Sequence, residues 1–234
     1  MQSIVNEAKI TRGARVGKIA TFAGLGFLVL GLIASLMLRT GAVIWISFAC
    51  LLLGILVSSV GTMNLNRWVR EPRADQALAQ GLKGFDDRYR LYSYLLPAPH
   101  VLLSPAGLFV LTPMGQDGVI RFDGQKFRRD FSAIRLLRFM AEEGMGKPFA
   151  EADTQVRAMQ KLLDEHQAGK DVEIQSVVVF YNPRAQLDVS DPPRPITNPK
   201  GLKKALRKQR GDEETKLTGA QYRELRDLLD EVAG

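Results

Sequence analysis

The sequence is poor in the side chains that build disulfides and in those that bind transition metals. Its 234 residues include one cysteine, Cys50, and two histidines, His100 and His166. A single cysteine excludes an intramolecular disulfide and a site with several thiolate ligands, and the histidines stand far apart without metal-ligand spacing. We therefore expect no metal site and no cofactor, and we expect both histidines to be ordinary surface or loop residues.

A strong excess of one charge is missing from most of the chain. Five of the 32 Lys and Arg, and one of the 25 Asp and Glu, precede residue 67, which leaves 27 cations against 24 anions in residues 67–234. A dedicated nucleic-acid module usually has a clear basic excess, so this near balance argues against one. The sequence also lacks a nucleophile elbow and a phosphate-binding Gly loop between a strand and a helix.

Charge is absent from two long runs near the N-terminus. Twenty residues separate Lys18 from Arg39, and twenty-seven separate Arg39 from Arg67, without an Asp, Glu, Lys or Arg among them. About 20 apolar residues are enough to cross a bilayer, whereas a signal peptide has an apolar region of only about 7–15 residues. The pattern therefore predicts a transmembrane hairpin over residues 19–66. Its two helices are predicted at about residues 19–38 and 42–64.

Positive charge flanks both outer ends of this hairpin, while its turn holds only Arg39. The flanking cations are Lys9, Arg12, Arg15, Lys18, Arg67, Arg70 and Arg73. The positive-inside rule then predicts a two-span protein of the cell membrane with both termini and the soluble domain in the cytoplasm. The basic segment 1–18 is predicted to lie on the membrane surface as a helix, with Ile4, Val5 and Ile10 toward the lipid.

Two further features of the hairpin concern its packing and its depth in the bilayer. Trp45 and Trp68 fit as interfacial anchors. Small residues recur at helical spacing and allow close approach of helices in lipid. These residues are Ala20 and Gly24, Gly31 and Ser35, and Gly54, Ser58 and Thr62. They predict packing of the two helices on each other, with a homo-oligomer as the alternative use.

Residues 67–210 have the pattern of one α/β domain. Predicted helices and strands are a helix at 73–83, strands at 89–96, 101–104, 108–112 and 118–122 with a hairpin return at 126–127, a helix or loop at 131–143, a helix at 150–167 and a strand at 174–181. The strands 101–104, 108–112 and 119–122 are predicted to form one antiparallel meander. The continuous apolar run 174–181 is predicted as a buried strand of the same sheet, with the 150–167 helix packed across it.

The C-terminal part combines prolines, a basic helix and a short amphipathic helix. Pro192, Pro193 and Pro195 indicate an extended loop, after which a helix is predicted at 199–210. A hinge at 211–214 leads to a final helix at 220–232, so residues 211–234 are separated from the domain. The basic helix carries Lys200, Lys203, Lys204, Arg207, Lys208 and Arg210.

Three stretches together resemble the nuclease-related domain (NERD) family, a branch of the PD-(D/E)xK nuclease-like fold. They are PHVLLSPAGLFVLTPMGQDGVIRFDGQKF at 99–127, KPFAEADTQVRAMQKLL at 147–163 and VEIQSVVVFYNP at 172–183. The resemblance spans about residues 72–208. It implies a restriction-endonuclease-like α/β (α+β) domain with a mixed sheet flanked by helices.

The resemblance also implies catalytic residues that this sequence replaces. Family members with an intact site have an Asp just before the strand at 100–104, where this chain has Pro99, and a Glu-x-Lys at the end of the next strand. That motif is replaced by Thr112 and Met114. Asp75, near the usual first-helix acid, remains. The carboxylate pair for Mg²⁺ and the Lys that orients water are therefore missing, which predicts a protein that is not an enzyme.

Two functions follow from these observations. The first is a membrane-anchored cytoplasmic binding or scaffolding protein with an unidentified protein partner and a degenerate nuclease-like domain. The alternative is an active membrane-tethered, metal-dependent nuclease acting on DNA or RNA, in which Asp86, Asp87 or Asp117 replaces a lost carboxylate. For the basic helix, a solvated charged face is the plain interpretation. Among ligands, anionic lipid headgroups come before nucleic acid.

Overall fold

A computed structural model describes residues 1–37, 41–129, 144–170, 172–209 and 217–234. These residues fall into two compact units. One unit is the helical pair within residues 7–73, and the other contains residues 1–6, 74–129 and 144–234. The predicted turn at Arg39, the helix or loop at 131–143, Arg210 and the hinge at 211–214 lie outside the described residues.

The helical pair consists of α1, Glu7–Met37, and α2, Gly41–Trp68. Both helices are long and apolar enough to span a membrane, each with a mean hydropathy of 2.2. The predicted helix at 1–18 is wrong for its first residues, because residues 2–5 form a strand. Residues 7–18 are helical, but this helix continues without a break into the apolar run. Ile4 and Val5 therefore belong to the other unit of the structure.

Buried positions recur every seven residues along both helices of the pair. They are Ile10, Gly17, Gly24 and Gly31 in α1, and Ser47, Gly54, Gly61 and Trp68 in α2. A Cβ atom on Gly24 would lie 2.2 Å from Oγ of Ser58, and one on Gly31 would lie 3.2 Å from the Ser47 carbonyl oxygen, so the helices run antiparallel. A period of 3.5 residues per turn is that of a coiled-coil seam. The predicted packing of the two helices through small residues is confirmed.

The two tryptophans of the pair have different surroundings. Trp45 is 75% exposed, as an interfacial anchor requires. Trp68 is buried against α1, where a Cβ atom on Gly13 would lie 2.5 Å from its indole ring. Trp68 therefore packs between the helices instead of projecting from them, which corrects the prediction for this residue.

The second unit contains nine strands and four helices within the described residues. In chain order they are β1 Gln2–Val5, α3 Ala74–Leu82, β2 Arg90–Ser93, β3 His100–Ser104, β4 Gly107–Met114, β5 Gly118–Phe122, β6 Phe127–Arg129, α4 Pro148–Glu165, β7 Ile174–Phe180, β8 Ala185–Val189, β9 Ile196–Thr197, α5 Leu202–Gln209 and α6 Gly219–Ala233. A 3₁₀ turn at Pro199–Gly201 precedes α5. Two long apolar helices followed by a mixed sheet with helices agree with the predicted α/β architecture.

The main sheet has the order β1-β2-β3-β4-β7-β9. Its centre is the parallel pair of β4 and β7, with register from Leu108↔Ile174 to Met114↔Phe180. Helices α4 and α6 cover one face of this sheet, while α3 and α5 cover the other. Because both faces are buried, the central strands read as nearly continuous apolar runs. The predicted strand 174–181 and the helix packed across it are confirmed.

The predicted three-stranded meander is wrong in its third strand. β3 and β4 form the expected antiparallel hairpin around Pro105 and Ala106. β5, however, joins a second sheet of order β6-β5-β8. The reason is that β4 has only two edges, and these are taken by β3 and by β7. β5 pairs instead with β6, in the hairpin whose return was predicted at 126–127.

Three short strands were not predicted. β1 pairs in parallel with β2 and so covers the open edge of the sheet. β8 pairs with β5, and β9 pairs with β7 just after the prolines expected to form a loop. Each strand has two to five residues, which is too short for a recognisable alternation of polar and apolar side chains.

The two histidines differ in burial. His166 is exposed at the end of α4, as predicted. His100 is only 1% exposed, with its Nδ1 3.1 Å from the Ser93 hydroxyl oxygen and its ring edge-on to Tyr94 at 4.6 Å. The prediction of a surface or loop position is therefore wrong for His100, because β3 lies inside the sheet.

Candidate functional site

The end of β4 carries the positions where the family resemblance implies catalytic residues. Side chains alternate along a strand. Thr112 and Met114 therefore lie on the face covered by α4, while Phe109 and Leu111 lie on the face covered by α3 and α5.

Thr112 is the first member of a hydrogen-bonded chain. Its hydroxyl donates to Oε1 of Gln155 at 2.9 Å, and Nε2 of Gln155 donates to Oε1 of Glu151 at 3.2 Å. Thr112 has no exposed surface and Gln155 is 8% exposed. Buried polar groups need partners, and here the hydroxyl and amide satisfy one another. The chain therefore occupies the position of the Glu expected in an intact family member.

Met114 lies in an apolar cluster and not in an open cleft. It is 5% exposed and packs with Ile120 of β5 and with Val178 and Phe180 of β7. Phe127 and Phe149 extend this cluster, with their ring centroids 5.0 Å apart. A charged group at residue 114 would have to be buried among these side chains, which costs free energy.

Pro99 and Asp75 are the other two positions implied by the resemblance. Pro99 precedes β3, and its carbonyl oxygen accepts a hydrogen bond from the Tyr94 amide at 2.6 Å. Its ring offers no metal ligand. Asp75 is buried in the first turn of α3, and Leu78 and Leu82 of that helix pack on the sheet face opposite Thr112.

An arginine that the sequence analysis did not single out lies on the α4 side of the sheet. Nη1 of Arg194 donates to the Ser176 hydroxyl of β7 at 3.0 Å, and its guanidinium forms an ion pair with Asp153 of α4. The proline-rich loop delivers this side chain, and no local pattern could have indicated its partners. Of the two α4 acids near the site, Asp153 is thus neutralised and Glu151 accepts a hydrogen bond from Gln155.

The alternative carboxylates are also engaged in ion pairs. Asp86 accepts hydrogen bonds from Nε of Arg88 at 3.0 Å and from its Nη2 at 2.6 Å, and these lower the pKa of Asp86. Asp117 forms an ion pair with Arg129, whose Nε also donates to the Asp117 carbonyl oxygen at 2.8 Å. These contacts hold the 115–117 segment to β6.

An active nuclease of the family that this chain resembles would use Mg²⁺, and the side chains at the end of β4 would have to bind that ion. Mg²⁺ requires octahedral oxygen ligands, usually including one or two carboxylates. The hydrogen-bonded chain at β4 offers one carboxylate, that of Glu151. Its other two members, the Thr112 hydroxyl and the Gln155 amide, are hydrogen-bonded to each other. Within the described ranges, three or more His, Cys, Asp or Glu side chains nowhere come together as a metal site. The residues at β4 therefore do not fit the ion.

The basic helix α5 is attached to the sheet by its apolar side. Leu202 and Leu206 are buried on the face that carries Phe109 and Leu111. Lys203 donates to the Lys83 carbonyl oxygen, and its Nζ lies 5.5 Å from the Phe85 ring centroid. The remaining cations are exposed and form no hydrogen bond or ion pair with the part of the chain that the structure describes. They are Lys200, Lys204, Arg207 and Lys208.

Aromatic side chains also lie beside this helix, which the sequence analysis did not anticipate. Phe85 and Tyr89, from the loop after α3, stack in parallel with centroids 4.2 Å apart. Phe85 and Tyr89 are far from Arg207 in the sequence, so no local pattern predicts that they lie close together. The only local signal is the alternation of aromatic and charged residues in FDDRYRLY at 85–92.

Comparison with known families supports the resemblance. The model of the nuclease-related domain matches residues 68–181. No curated protein and no solved structure matches the chain. The match includes β2 to β7 and α3 and α4, whereas β1, β8, β9, α5 and α6 complete the same unit from outside it. Residues 68–181 of this chain are thus similar to the nuclease-related domain.

Proposed function

We propose that this chain is a membrane-anchored binding or scaffolding protein whose nuclease-related domain has a restriction-endonuclease-like fold and a degenerate catalytic site. The observation that carries the proposal is the hydrogen-bonded chain from Thr112 through Gln155 to Glu151. It stands where the resemblance implies a metal-binding Glu. Met114 stands where it implies a Lys, and it is packed in an apolar cluster.

The anchor is the helical pair, and its orientation follows from the flanking charges. Cations precede α1's apolar run and follow α2, so the positive-inside rule places both termini and the domain in the cytoplasm. The two helices have the length and hydropathy that a two-span protein needs. The domain then works at the inner surface of the cell membrane.

The binding role is supported by α5. Lys204, Arg207 and Lys208 carry charge that no described residue neutralises. Each Lys or Arg near an anionic membrane contributes about 1 kcal/mol, so anionic headgroups and acidic protein surfaces are the favoured partners. Nucleic acid is not favoured, because residues 67–234 lack a strong basic excess. A homo-oligomer through small residues of the helical pair such as Ser35 remains a further proposal.

The proposal is tested by a cleavage assay on the full chain in lipid nanodiscs. The full chain is needed because a fragment that starts at residue 67 lacks β1. Single- and double-stranded DNA and RNA are incubated with Mg²⁺ or Mn²⁺. We expect no metal-dependent cleavage. The Thr112→Glu/Met114→Lys variant is expected to stay inactive, since Pro99 still supplies no second carboxylate.

The alternative function, an active nuclease, makes the opposite prediction. It requires cleavage by the unmodified chain that is abolished by Asp75→Asn or Asp117→Asn. Glu173→Gln is a suitable control, because Glu173 is exposed and precedes β7. Cleavage that survives the control and disappears in either variant would overturn the degenerate interpretation.

A further inference from the structure

A groove of about 330 Å³ opens on the sheet face opposite Thr112. Its floor is apolar and consists of Leu102, Phe109 and Leu206, while Phe85 and Tyr89 form one wall and Arg207 lies at the rim. The groove is thus built from β3, β4, α5 and the loop after α3. Its volume lies at the lower end of the range of about 300–1,000 Å³ that is typical of small-molecule sites.

The wall of the groove is suited to a planar ring. Phe85 and Tyr89 are stacked with an angle of 8° between their planes. Nζ of Lys203 lies 5.5 Å from the Phe85 ring centroid, and the Phe85 and Tyr89 side chains are both partly exposed. Base–aromatic stacking is tolerant of base identity because every nucleobase has a π-face.

The rim of the groove is suited to an anion. Arg207 is exposed and forms no ion pair with a described residue. Asp86 also lines the groove, but its carboxylate is held by the guanidinium of Arg88, which balances its charge. Lys203 adds a second cation at the Gly84 end, where a Cβ atom on Gly84 would lie 3.4 Å from its Nζ. An unpaired guanidinium binds phosphate through two parallel hydrogen bonds.

We propose that this groove binds a free nucleoside phosphate, with the base stacked on the Phe85–Tyr89 pair and the phosphate on Arg207. The groove has room for one nucleotide. This site is separate from the β4 positions, so the proposal does not depend on whether the domain cleaves nucleic acid.

The test measures binding by the full chain in nanodiscs of zwitterionic lipid, so that lipid headgroups do not supply competing anions. Radiolabelled ribonucleoside mono- and triphosphates are titrated by equilibrium dialysis, with inorganic phosphate and a single-stranded oligonucleotide as competitors. We expect at least one nucleotide to bind roughly tenfold more tightly than inorganic phosphate, since stacking adds to the phosphate contact.

Matched variants connect this binding to the groove. Arg207→Gln and Tyr89→Leu are each expected to weaken nucleotide binding roughly tenfold, while Tyr89→Phe retains it because the ring is kept. Lys208→Gln removes a neighbouring charge of α5 that does not line the groove, and it is expected to have little effect. Unfolding temperatures establish that each variant is folded. If Tyr89→Leu does not fold, the comparison of Arg207→Gln with Lys208→Gln carries the test.

Three outcomes would overturn the proposal. The first is nucleotide binding no tighter than that of inorganic phosphate. The second is equal weakening by Arg207→Gln and Lys208→Gln, which would indicate attraction to the whole basic helix. The third is binding of the oligonucleotide without binding of free nucleotides.

Discussion

At the scale of single residues, Asp230 connects the C-terminal helix to the sheet. The Tyr92 hydroxyl donates to its Oδ1 at 2.8 Å, and Nη1 of Arg90 donates to its Oδ2. The Arg90 side chain is only 15% exposed, and its Nε is buried without a hydrogen-bond partner in the described structure. The carboxylate is therefore the group that compensates a largely buried charge.

Asp230→Ala is expected to lower the free energy of unfolding by about 2 kcal/mol, because it removes charged hydrogen bonds and leaves Arg90 uncompensated. Asp227→Ala on the same helix is the control. Asp227 pairs with Arg226 in solvent, and such pairs contribute about 0–1 kcal/mol. Urea titration of the full chain in detergent measures both. Equal losses in the two variants would show that Asp230 has no special role.

The titration of the Tyr92 phenol makes the stability of the fold depend on pH. Burial raises the pKa of Tyr92 well above its usual value, and the hydrogen bond to Asp230 raises it further. The folded state therefore holds the proton more tightly than the unfolded state. The resulting stabilisation is fully present below about pH 10 and is lost as the pH rises further.

Tyr92→Phe is expected to give a flatter decline of the unfolding temperature above about pH 10, because the titrating group is gone. Some decline remains, since burial also raises the pKa of Tyr222. The unfolding temperature of the full chain, measured at half-unit steps of pH, provides the comparison. Identical slopes for Tyr92→Phe and the unmodified protein would contradict this assignment.

At the scale of elements, the helical pair depends on glycines at one seam, and the main sheet depends on a strand from the far end of the chain. β1 ends at Val5 and α1 begins at Glu7, so a single residue connects the edge of the sheet to the apolar helix. Ile4 packs against the apolar cluster that contains Tyr92 and Leu228. The N-terminal residues are therefore part of the fold of the domain.

Gly24→Ala is expected to destabilise the helical pair by about 1–3 kcal/mol, because overpacking forces a backbone shift. Its Cβ atom would lie 2.6 Å from the Ser58 backbone nitrogen, which cannot move aside as a side chain does. Gly26→Ala is the control, since nothing lies within 4 Å of a Cβ atom there. It is expected to be neutral or slightly stabilising through helix propensity.

Titration with sodium dodecyl sulphate measures this difference. Trp68 packs on Gly13 of the opposite helix, so its fluorescence reports separation of the pair. Trp45 is replaced by Phe in all samples to make the signal specific. If the helices of the Gly24→Ala and Gly26→Ala variants separate at the same detergent fraction, Gly24 does not lie at the contact between the two helices.

At the scale of the whole molecule, the proposed orientation in the membrane rests on the distribution of charge. Lys9, Arg12, Arg15 and Lys18 lie at one outer end of the helical pair and Arg67, Arg70 and Arg73 at the other. The residues that match the nuclease-related domain follow the second end. Under the positive-inside rule, we therefore propose that both termini and the domain lie on the same side of the membrane.

A reporter that is active only in the cytoplasm, fused after Gly234, is expected to be active, and one that is active only after export is expected to be silent. The matched variant adds three Lys after Thr40 and replaces Arg67, Arg70 and Arg73 by Ser. It is expected to export part of the population, because the charge bias is reversed at the second helix. Export of the reporter by the unmodified chain would overturn the proposed location.

Some of this architecture follows from the sequence alone, because it depends on neighbours along the chain. The two uncharged runs are long enough to form apolar helices whatever lies beside them. The apolar period of α4 and the run of β7 also indicate their own structure, as does the turn at Pro105. The replacement of expected catalytic residues by Thr112 and Met114 is likewise visible in the sequence.

Only the tertiary structure decided which distant segments share an edge or a groove. β5 pairs in a second sheet because β3 and β7 occupy both edges of β4. β1 pairs with the edge of β2 that β3 leaves open. His100 is buried for the same reason, since its strand became internal. Arg207 faces Phe85 and Tyr89 because α5 packs beside the loop after α3. Local periodicity determines the type of an element, whereas competition between segments for edges and faces determines its neighbours.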